Sequence, residues 1–298
     1  MKNQLTPLDR VTPEELEHDL ATSADMHLLL ALLDGEVVGS GIGRKSQAAP
    51  DSLFAMVRVV PDHRRRGAGS ATFGELSDLA RQRGLKHLFG RIQEDDTESL
   101  EWAGRRGLTE IARETSLVLS LLDQPDDAPP APPPGVELVS LAKRPDLAAG
   151  AHRVEAEATL DIPGPFPLSS MSFEAWWREN IDLPGFQAEG SFVALLDGEP
   201  VGYAGLSAKD DGLAEHLLTG VLRAARGRGI ATALKLAQIH WARRAGFQQL
   251  VTWTSSRNDP MRFINLKLGY VEQPASIAVR GPVADSTGPH AARIGPDG

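Results

Sequence analysis

Two stretches of the chain carry the same pattern of apolar and polar positions. Residues 31–39 read ALLDGEVVG and residues 194–202 read ALLDGEPVG. Each is an apolar run, a D-G-E turn and a second apolar run, the sequence form of a β-hairpin. In the second half the pattern predicts a strand at 136–141, a helix at 146–160, a proline-stiffened loop at 161–167 and a helix at 172–180. Hairpin strands at 191–196 and 201–206 follow, then a strand at 214–222. A longer helix is expected over 229–245, because Ile230, Ala233, Leu234, Ala237 and Trp241 recur at helical spacing and Gly246 ends it. A strand at 250–254, a helix at 260–268 and a last hairpin from Tyr270 complete the series. The first half repeats this order from Leu28. Its opening segment is shorter, which puts its first strand in doubt.

The repeat extends beyond the hairpins. Arg64-Arg65-Arg66-Gly67-Ala68-Gly69 is answered by Arg226-Gly227-Arg228-Gly229-Ile230-Ala231, and Arg106-Gly107-Leu108 by Leu268-Gly269-Tyr270. Three landmarks in one order point to duplication. Between the halves, residues 123–135 read DQPDDAPPAPPPG, with six prolines, a semi-rigid spacer. The expected division is a first domain at 1–122, a linker at 123–135, a second domain at 136–280 and a tail at 281–298.

Composition narrows the chemistry. The 298 residues contain no cysteine, which excludes disulfides, thiolate metal sites and a cysteine nucleophile. No metal-ligand spacing is evident, so no metal is expected. No apolar run is long enough to span a bilayer and residues 1–10 lack the core of a signal peptide, so a cytoplasmic location away from membranes is expected. The net charge of −9 argues against nucleic acid, even with the basic run His63-Arg64-Arg65-Arg66.

The segment 222–232 passes from a strand through a basic glycine turn into a helix. A helix N-terminus has unpaired N–H groups and a partial positive charge, and suits a phosphate. Gly227 and Gly229 let backbone amides approach an anion closely. The spacing is neither a P-loop nor a dinucleotide fingerprint. Arg226, Gly229 and Ala231, like Arg64, Gly67 and Gly69, resemble the Arg-x-x-Gly-x-Gly/Ala coenzyme A signature of the GNAT acetyltransferase superfamily. Asn258, Met261 and Leu268-Gly269-Tyr270 resemble its later motif. Two copies resemble the tandem, mycothiol synthase-like members.

That resemblance implies an α/β fold in two tandem copies, each a mixed, mostly antiparallel sheet with flanking helices and splayed fourth and fifth strands. It implies acetyl-CoA as cosubstrate and direct attack of a primary amine on the thioester. In the second half, Gly220, Val221 and Leu222 would meet pantetheine. Arg226, Gly227, Arg228, Gly229, Ile230, Ala231 and Thr232 would meet the pyrophosphate, and Asn258 the pantetheine arm. In the first half Val59, Arg64, Arg66, Gly67, Ala68, Gly69 and Ser70 would do the same. Glu215 is the expected base, by its spacing from Val221 in the resembling enzymes. An exposed strand glutamate is the plainer alternative, and His216 should face the other side of the strand. The family's usual acid, a tyrosine four residues before the late glycine, is replaced by Asn265 and, in the first half, Ala103. Asp161, Phe166 and Tyr203 are the expected acceptor contacts, although core packing is the plainer reading for Tyr203 and for at least one of Trp176 and Trp177. A small-molecule amine is the expected acceptor, on a monomeric pseudo-dimer or a homodimer. A non-catalytic acyl-CoA-binding module and a protein N-acetyltransferase are the alternatives. The second half is expected to carry the chemistry, since Leu53 stands where Glu215 does by counting.

Overall fold

The computed structural model describes residues 12–22, 25–46, 49, 51–122, 129–210 and 212–284. The chain divides into two compact units. Among the described residues, one unit takes those of 19–113 and 274–284, and the other those of 12–18 and 114–273.

In the first unit the sheet runs β1-β2-β3-β4-β11. The strands are β1 (His27–Leu33), β2 (Glu36–Lys45), β3 (Ser52–Val59), β4 (His87–Gln93) and β11 (Val271–Pro282). Only the β3/β4 pair is parallel. Helix α2 (Ala68–Gln82) packs on this sheet through Phe73, Leu76 and Ala80, which share a core with Leu53, Leu88 and Ile277. Helix α3 (Thr97–Gly104) follows β4. Among the described residues no strand precedes His27 in this unit.

The second unit runs β5-β10-β9-β8-β7-β6, from β5 (Thr109–Ser120) to β6 (Val136–Ser140), β7 (Phe192–Leu196), β8 (Glu199–Asp210), β9 (Leu213–Val221) and β10 (Gln249–Ser255). Again one pair, β9/β10, is parallel. Helix α4 (Ala148–Thr159) and the short α5 (Phe173–Trp176) bury Val154 and Trp176 with Tyr203. Helix α6 (Ile230–Arg244) buries Ile230 and Leu234 against Ala194, Ala204 and Val221. Helix α7 (Asp259–Lys267) precedes β11.

Each unit is therefore closed by a strand from the other half of the sequence: Ser276–Pro282 of β11 pairs β4, and Glu114–Ser120 of β5 pairs β10. Both hairpins of the repeat form, with Asp34-Gly35 and Asp197-Gly198 at positive φ, the two-residue turn that matches strand twist. The expected last hairpin from Tyr270 does not form; the twelve residues Val271–Pro282 are one strand. The expected helix at 172–180 is α5 followed by a π-type turn, Trp177–Ile181.

Candidate active site

The site of the second unit is built around the parting of β9 and β10. They pair only from Leu213↔Gln249 to Glu215↔Val251. Beyond that point β10 continues against β5 and β9 against β8. Glu215 is thus the last paired residue, at the vertex of the gap. β9 also carries a bulge: Ala204 faces Thr219 and Leu206 faces His216, so Leu217 and Leu218 oppose one residue of β8.

The alternation of antiparallel pairing then decides which amides face the gap. Leu222 N–H donates to Val201 O, so residues of that parity are bonded to β8. Val221, opposite Gly202, turns its N–H and C=O the other way, and its carbonyl accepts from Arg226 Nε at 3.0 Å. Of the three expected pantetheine contacts, Val221 presents its backbone to the gap and Leu222 spends its amide within the sheet. Gly220 packs under α4, where an added Cβ would lie 2.6 Å from Ala158.

Glu215 makes an ion pair with Lys209 Nζ at 3.1 Å, and Lys209 makes a second with Glu15 at 3.0 Å. Glu15 lies in helix α1 (Pro13–Thr22), whose first residues belong to the second unit. Burial works to lower the Lys209 pKa, but Glu215 and Glu15 outweigh it and hold the ammonium charged.

The glycine turn begins α6. Gly227 (φ 76°) and Gly229 (φ 79°) are left-handed, and a Cβ at Gly227 would meet nothing within 4 Å. No side chain caps the helix, so the amides of Ile230, Ala231 and Thr232 at its first turn keep their anion-binding character. These features fit a pyrophosphate. Asp161 lies at this turn: it accepts from Arg223 Nε at 2.9 Å and pairs with Arg226 Nη2 at 2.7 Å. The two arginines, Arg223 first, hold its carboxyl at about 2. Its carboxylate is therefore engaged with the turn. Asn258 caps α7, accepting from Met261 N–H at 3.4 Å, and Arg257 donates to Gly164 O in the loop before Phe166, which is half-buried.

Two faces of the sheet hold different polar groups. On the α6 side, His216 Nδ1 donates to Gln238 Oε1 at 2.9 Å and Nε2 accepts from the Tyr270 hydroxyl at 2.6 Å. Burial, then the charge of Lys235, pushes His216 well below its usual pKa. Lys235 is itself buried over the Tyr270 ring, at about 7. Asn265, in the tyrosine's place, is fully buried. On the opposite face lie Glu215, Tyr203, Trp176 and Glu155. Burial raises Glu155 to about 6; the Trp176 indole, close by, favours its anion without a hydrogen bond of ordinary geometry. Glu155, Lys209, Glu15 and Lys235 escape sequence reasoning. Glu155 alone leaves a signal there, a carboxylate on the apolar stripe of Ala148, Ala151 and Val154.

In the first unit the corresponding gap opens after Phe54↔Phe89. β3 has no bulge against β2, so the vertex residue is Phe54 and not Leu53, which is core. Arg58 stands where Gly220 does, and Arg65 takes positive φ (62°) where Gly227 does. Val59 O accepts from Arg64 Nε at 3.4 Å. Arg64 and Arg65 are paired with Glu98 at 3.1 and 2.7 Å, Arg66 with Asp34, and the Ser70 hydroxyl accepts from Arg106. Gly67 (φ 92°) precedes Ala68 and Gly69 at the start of α2. Among the described residues no group of three or more potential ligands could hold a metal ion, and no helix is long and apolar enough to cross a membrane.

The sequence profile described as the acetyltransferase (GNAT) family matches residues 3–108 and 152–270. Two mycothiol acetyltransferases are similar along most of the chain. That of Thermomonospora curvata is 26% identical over 85% of this chain and 82% of its own length. That of Actinosynnema mirum is 27% identical over 84% and 82%. Among solved structures, a tandem GNAT protein from the clavulanic acid biosynthesis pathway superposes with a TM-score of 0.74 at 22% identity, covering 91% of this chain and 88% of that one. A GCN5-related N-acetyltransferase from Sphaerobacter thermophilus gives 0.71 at 19% identity, over 91% and 85%. The match of both halves, on two sheets that each part after a parallel pair, establishes that the chain belongs to the GNAT acetyltransferase family, as a tandem N-acetyltransferase.

Proposed function

We propose that the second unit transfers an acetyl group from acetyl-CoA to the primary amine of a small molecule, with Glu215 as base. The observation that carries this reading is Glu215 at the vertex of the β9/β10 gap, on a strand whose Val221 amide faces the same opening. The cosubstrate supplies an activated thioester. The turn from Arg226 to Thr232 binds its pyrophosphate, and Asn258 borders its pantetheine arm. Val221 N–H donates to the oxygen that gains charge as the amine attacks. An ammonium cannot attack, so its proton passes to Glu215, directly or through one water; the C–N bond forms, the thioester C–S bond breaks, and coenzyme A leaves as a thiolate that takes its proton from solvent. The likeness to two mycothiol acetyltransferases favours a small molecule over a protein as acceptor.

The first unit serves as a structural partner. Phe54 provides no base at its vertex, and its turn arginines are tied to acidic side chains of their own unit. The test is steady-state release of coenzyme A across a panel of small amines and peptides. Turnover with a small amine, lost in Glu215→Gln, is expected. Peptides that outperform every small amine, or tight binding of acetyl-CoA with no turnover, would overturn it.

A further inference from the structure

We infer that the acceptor carries a hydroxyl group, and that Glu155, Trp176 and Tyr203 form the subsite that receives it. This rests on the reading of the second unit as the catalytic one. Three elements, α4, α5 and β8, each bring one polar atom here: Glu155 Oε2, Trp176 Nε1 and the Tyr203 hydroxyl. All three atoms are buried and none has a hydrogen-bond partner among the described residues. Buried polar groups are nearly always paired, so three orphans in one cluster mark a place for a further polar group, which water fills when no ligand is bound. The rings cannot turn away to find other partners. Trp176 meets Tyr203 edge-on at 5.9 Å and stacks on Phe173 at 5.9 Å.

The chemistry of the three atoms selects the ligand group. The indole N–H only donates; a carboxylate only accepts; the phenol does either. An ammonium would leave the indole unpaired. A carboxylate or phosphate would face the charge of Glu155. A hydroxyl oxygen accepts from Trp176 while its own hydrogen goes to Glu155, so one group satisfies both.

The position also fits an acceptor. Ser207 is directly opposite Glu215, and Tyr203, Gly205 and Ser207 share that face of β8. The phenol lies over Gly205, where an added Cβ would be 2.6 Å from its oxygen, so it points along the strand toward the Glu215 end. Glu155 keeps 9% exposure and is the cluster's side toward solvent; Trp176 and Tyr203 are fully buried behind it. The phenol oxygen, over Gly205, is two strand steps from Ser207, roughly 7 Å along the strand. The hydroxyl must therefore lie several bonds from the reacting amine. The π-type turn directly after Trp176 is a feature that recurs at functional sites.

The experiment compares trans-4-aminocyclohexanol with cyclohexylamine, which differ only in the hydroxyl. The full-length protein is used with acetyl-CoA, and the Trp176 indole N–H resonance is followed by NMR, assigned through Trp176→Phe. The expected result is at least a tenfold higher kcat/KM for the hydroxylated amine, and an indole shift with that amine alone. Trp176→Phe, which keeps the ring, and Glu155→Leu should reduce the preference to near unity; Glu155→Gln serves if Glu155→Leu fails to fold. Equal kcat/KM for the pair, or a preference that survives Trp176→Phe, overturns the proposal. So does an indole resonance that neither amine moves, whether or not either is acetylated. Calorimetry with acetyl-CoA separates the two levels. Lost coenzyme binding sinks the underlying reading; intact binding without a hydroxyl preference sinks only this inference.

Discussion

Lys209 Nζ stands between two carboxylates, 3.1 Å from Glu215 and 3.0 Å from Glu15, although Glu15 is 194 residues away in the chain. The ammonium is largely buried and held charged, and it places a positive charge beside Glu215 at the vertex of the β9/β10 gap. A general base must begin the reaction ionised, and a neighbouring ammonium favours that form of the proposed base.

Glu215→Gln should lower turnover by roughly 10²–10⁴-fold with little change in acetyl-CoA affinity. Lys209→Met should move the acid limb of the kcat/KM profile to higher pH, because the carboxylate loses its counter-charge. Lys209→Arg should restore the profile in part. An unchanged rate and profile in Glu215→Gln would return it to an ordinary strand carboxylate.

Asp161 occupies the guanidinium groups of Arg223 and Arg226, two of the charges at the glycine turn proposed to hold the pyrophosphate. It is ionised at any pH above about 4, since its carboxyl titrates at about 2. The phosphates of coenzyme A must compete with it. Asp161→Asn should therefore tighten acetyl-CoA binding by about 2–5-fold, the scale of an exposed ion pair. The gain should shrink as salt is raised. Weaker binding measured by calorimetry would mean that Asp161 braces the turn and does not compete with the ligand.

Lys235 is buried with its pKa lowered from 10.5 to about 7. Between those values the unfolded chain holds a proton that the folded chain lacks, so this group makes stability rise with pH from 7 toward 10. Below pH 7 its cost is fully present. Lys235→Met should raise stability at pH 7 by about 1–4 kcal/mol, at about 1.4 kcal/mol for each pK unit. The advantage should fade as pH approaches 10. Urea denaturation at pH 6.5 and 9.5 checks the sign.

The duplication, the two D-G-E hairpins, the glycine turn and the order of strands were legible because they are local; the last hairpin expected from Tyr270 was a misreading of one long strand. Alternation, turn residues and helical spacing lie within a dozen residues of one another. The exchange of β5 and β11 was not legible. Each follows its own half in sequence, and nothing local distinguishes pairing with β10 from pairing with β4. The bulge in β9 was equally hidden, and it misleads a count: six residues before Val59 is Leu53, whereas the pairing puts Phe54 at the vertex. Glu215 was found by its spacing in resembling enzymes. Its partner Lys209 is on the neighbouring strand of the same hairpin, whereas Glu15, which completes the group, is 194 residues from Lys209 and no motif encodes it.

Glu155 links the inferred acceptor subsite to stability. Its pKa is raised from 4.5 to about 6, with burial the main cause. Between those values the folded chain holds the extra proton, so its contribution falls as pH rises from 4.5 through 6. Above pH 6 the buried charge is a cost. Glu155→Gln should then stabilise the protein at pH 8 by about 1–2 kcal/mol and not at pH 4. A stabilising change that impairs acceptor use is the usual sign of a functional site.

The two units should be unequal in catalysis. Both keep a left-handed glycine immediately before the helix, Gly67 and Gly229, so both can present backbone amides to a pyrophosphate. Both also keep the arginine bonded to the strand's last carbonyl, Arg64 to Val59 and Arg226 to Val221, but they differ at three positions of the gap and turn. The second unit has Glu215 at the vertex, Gly220 beneath α4 and Gly227 in the turn. The first has Phe54, Arg58 and Arg65, and Arg65 holds a positive φ that costs a non-glycine residue strain. Its Arg64 and Arg65 are neutralised by Glu98, whose carboxyl they hold low, Arg65 first. Coenzyme bound there would stabilise the unit by mass action without being turned over. A glutamate at either glycine adds both a side chain at positive φ and a negative charge where the phosphates belong. Gly67→Glu should keep most activity toward the best amine of the panel, and Gly229→Glu should lose it, each confirmed folded by circular dichroism. Calorimetry on the two variants then counts the sites, with Gly229→Glu removing the one that supports turnover. Loss of activity in Gly67→Glu with Gly229→Glu unaffected would place the chemistry in the first unit, and equal loss in both folded variants would mean that the units act together.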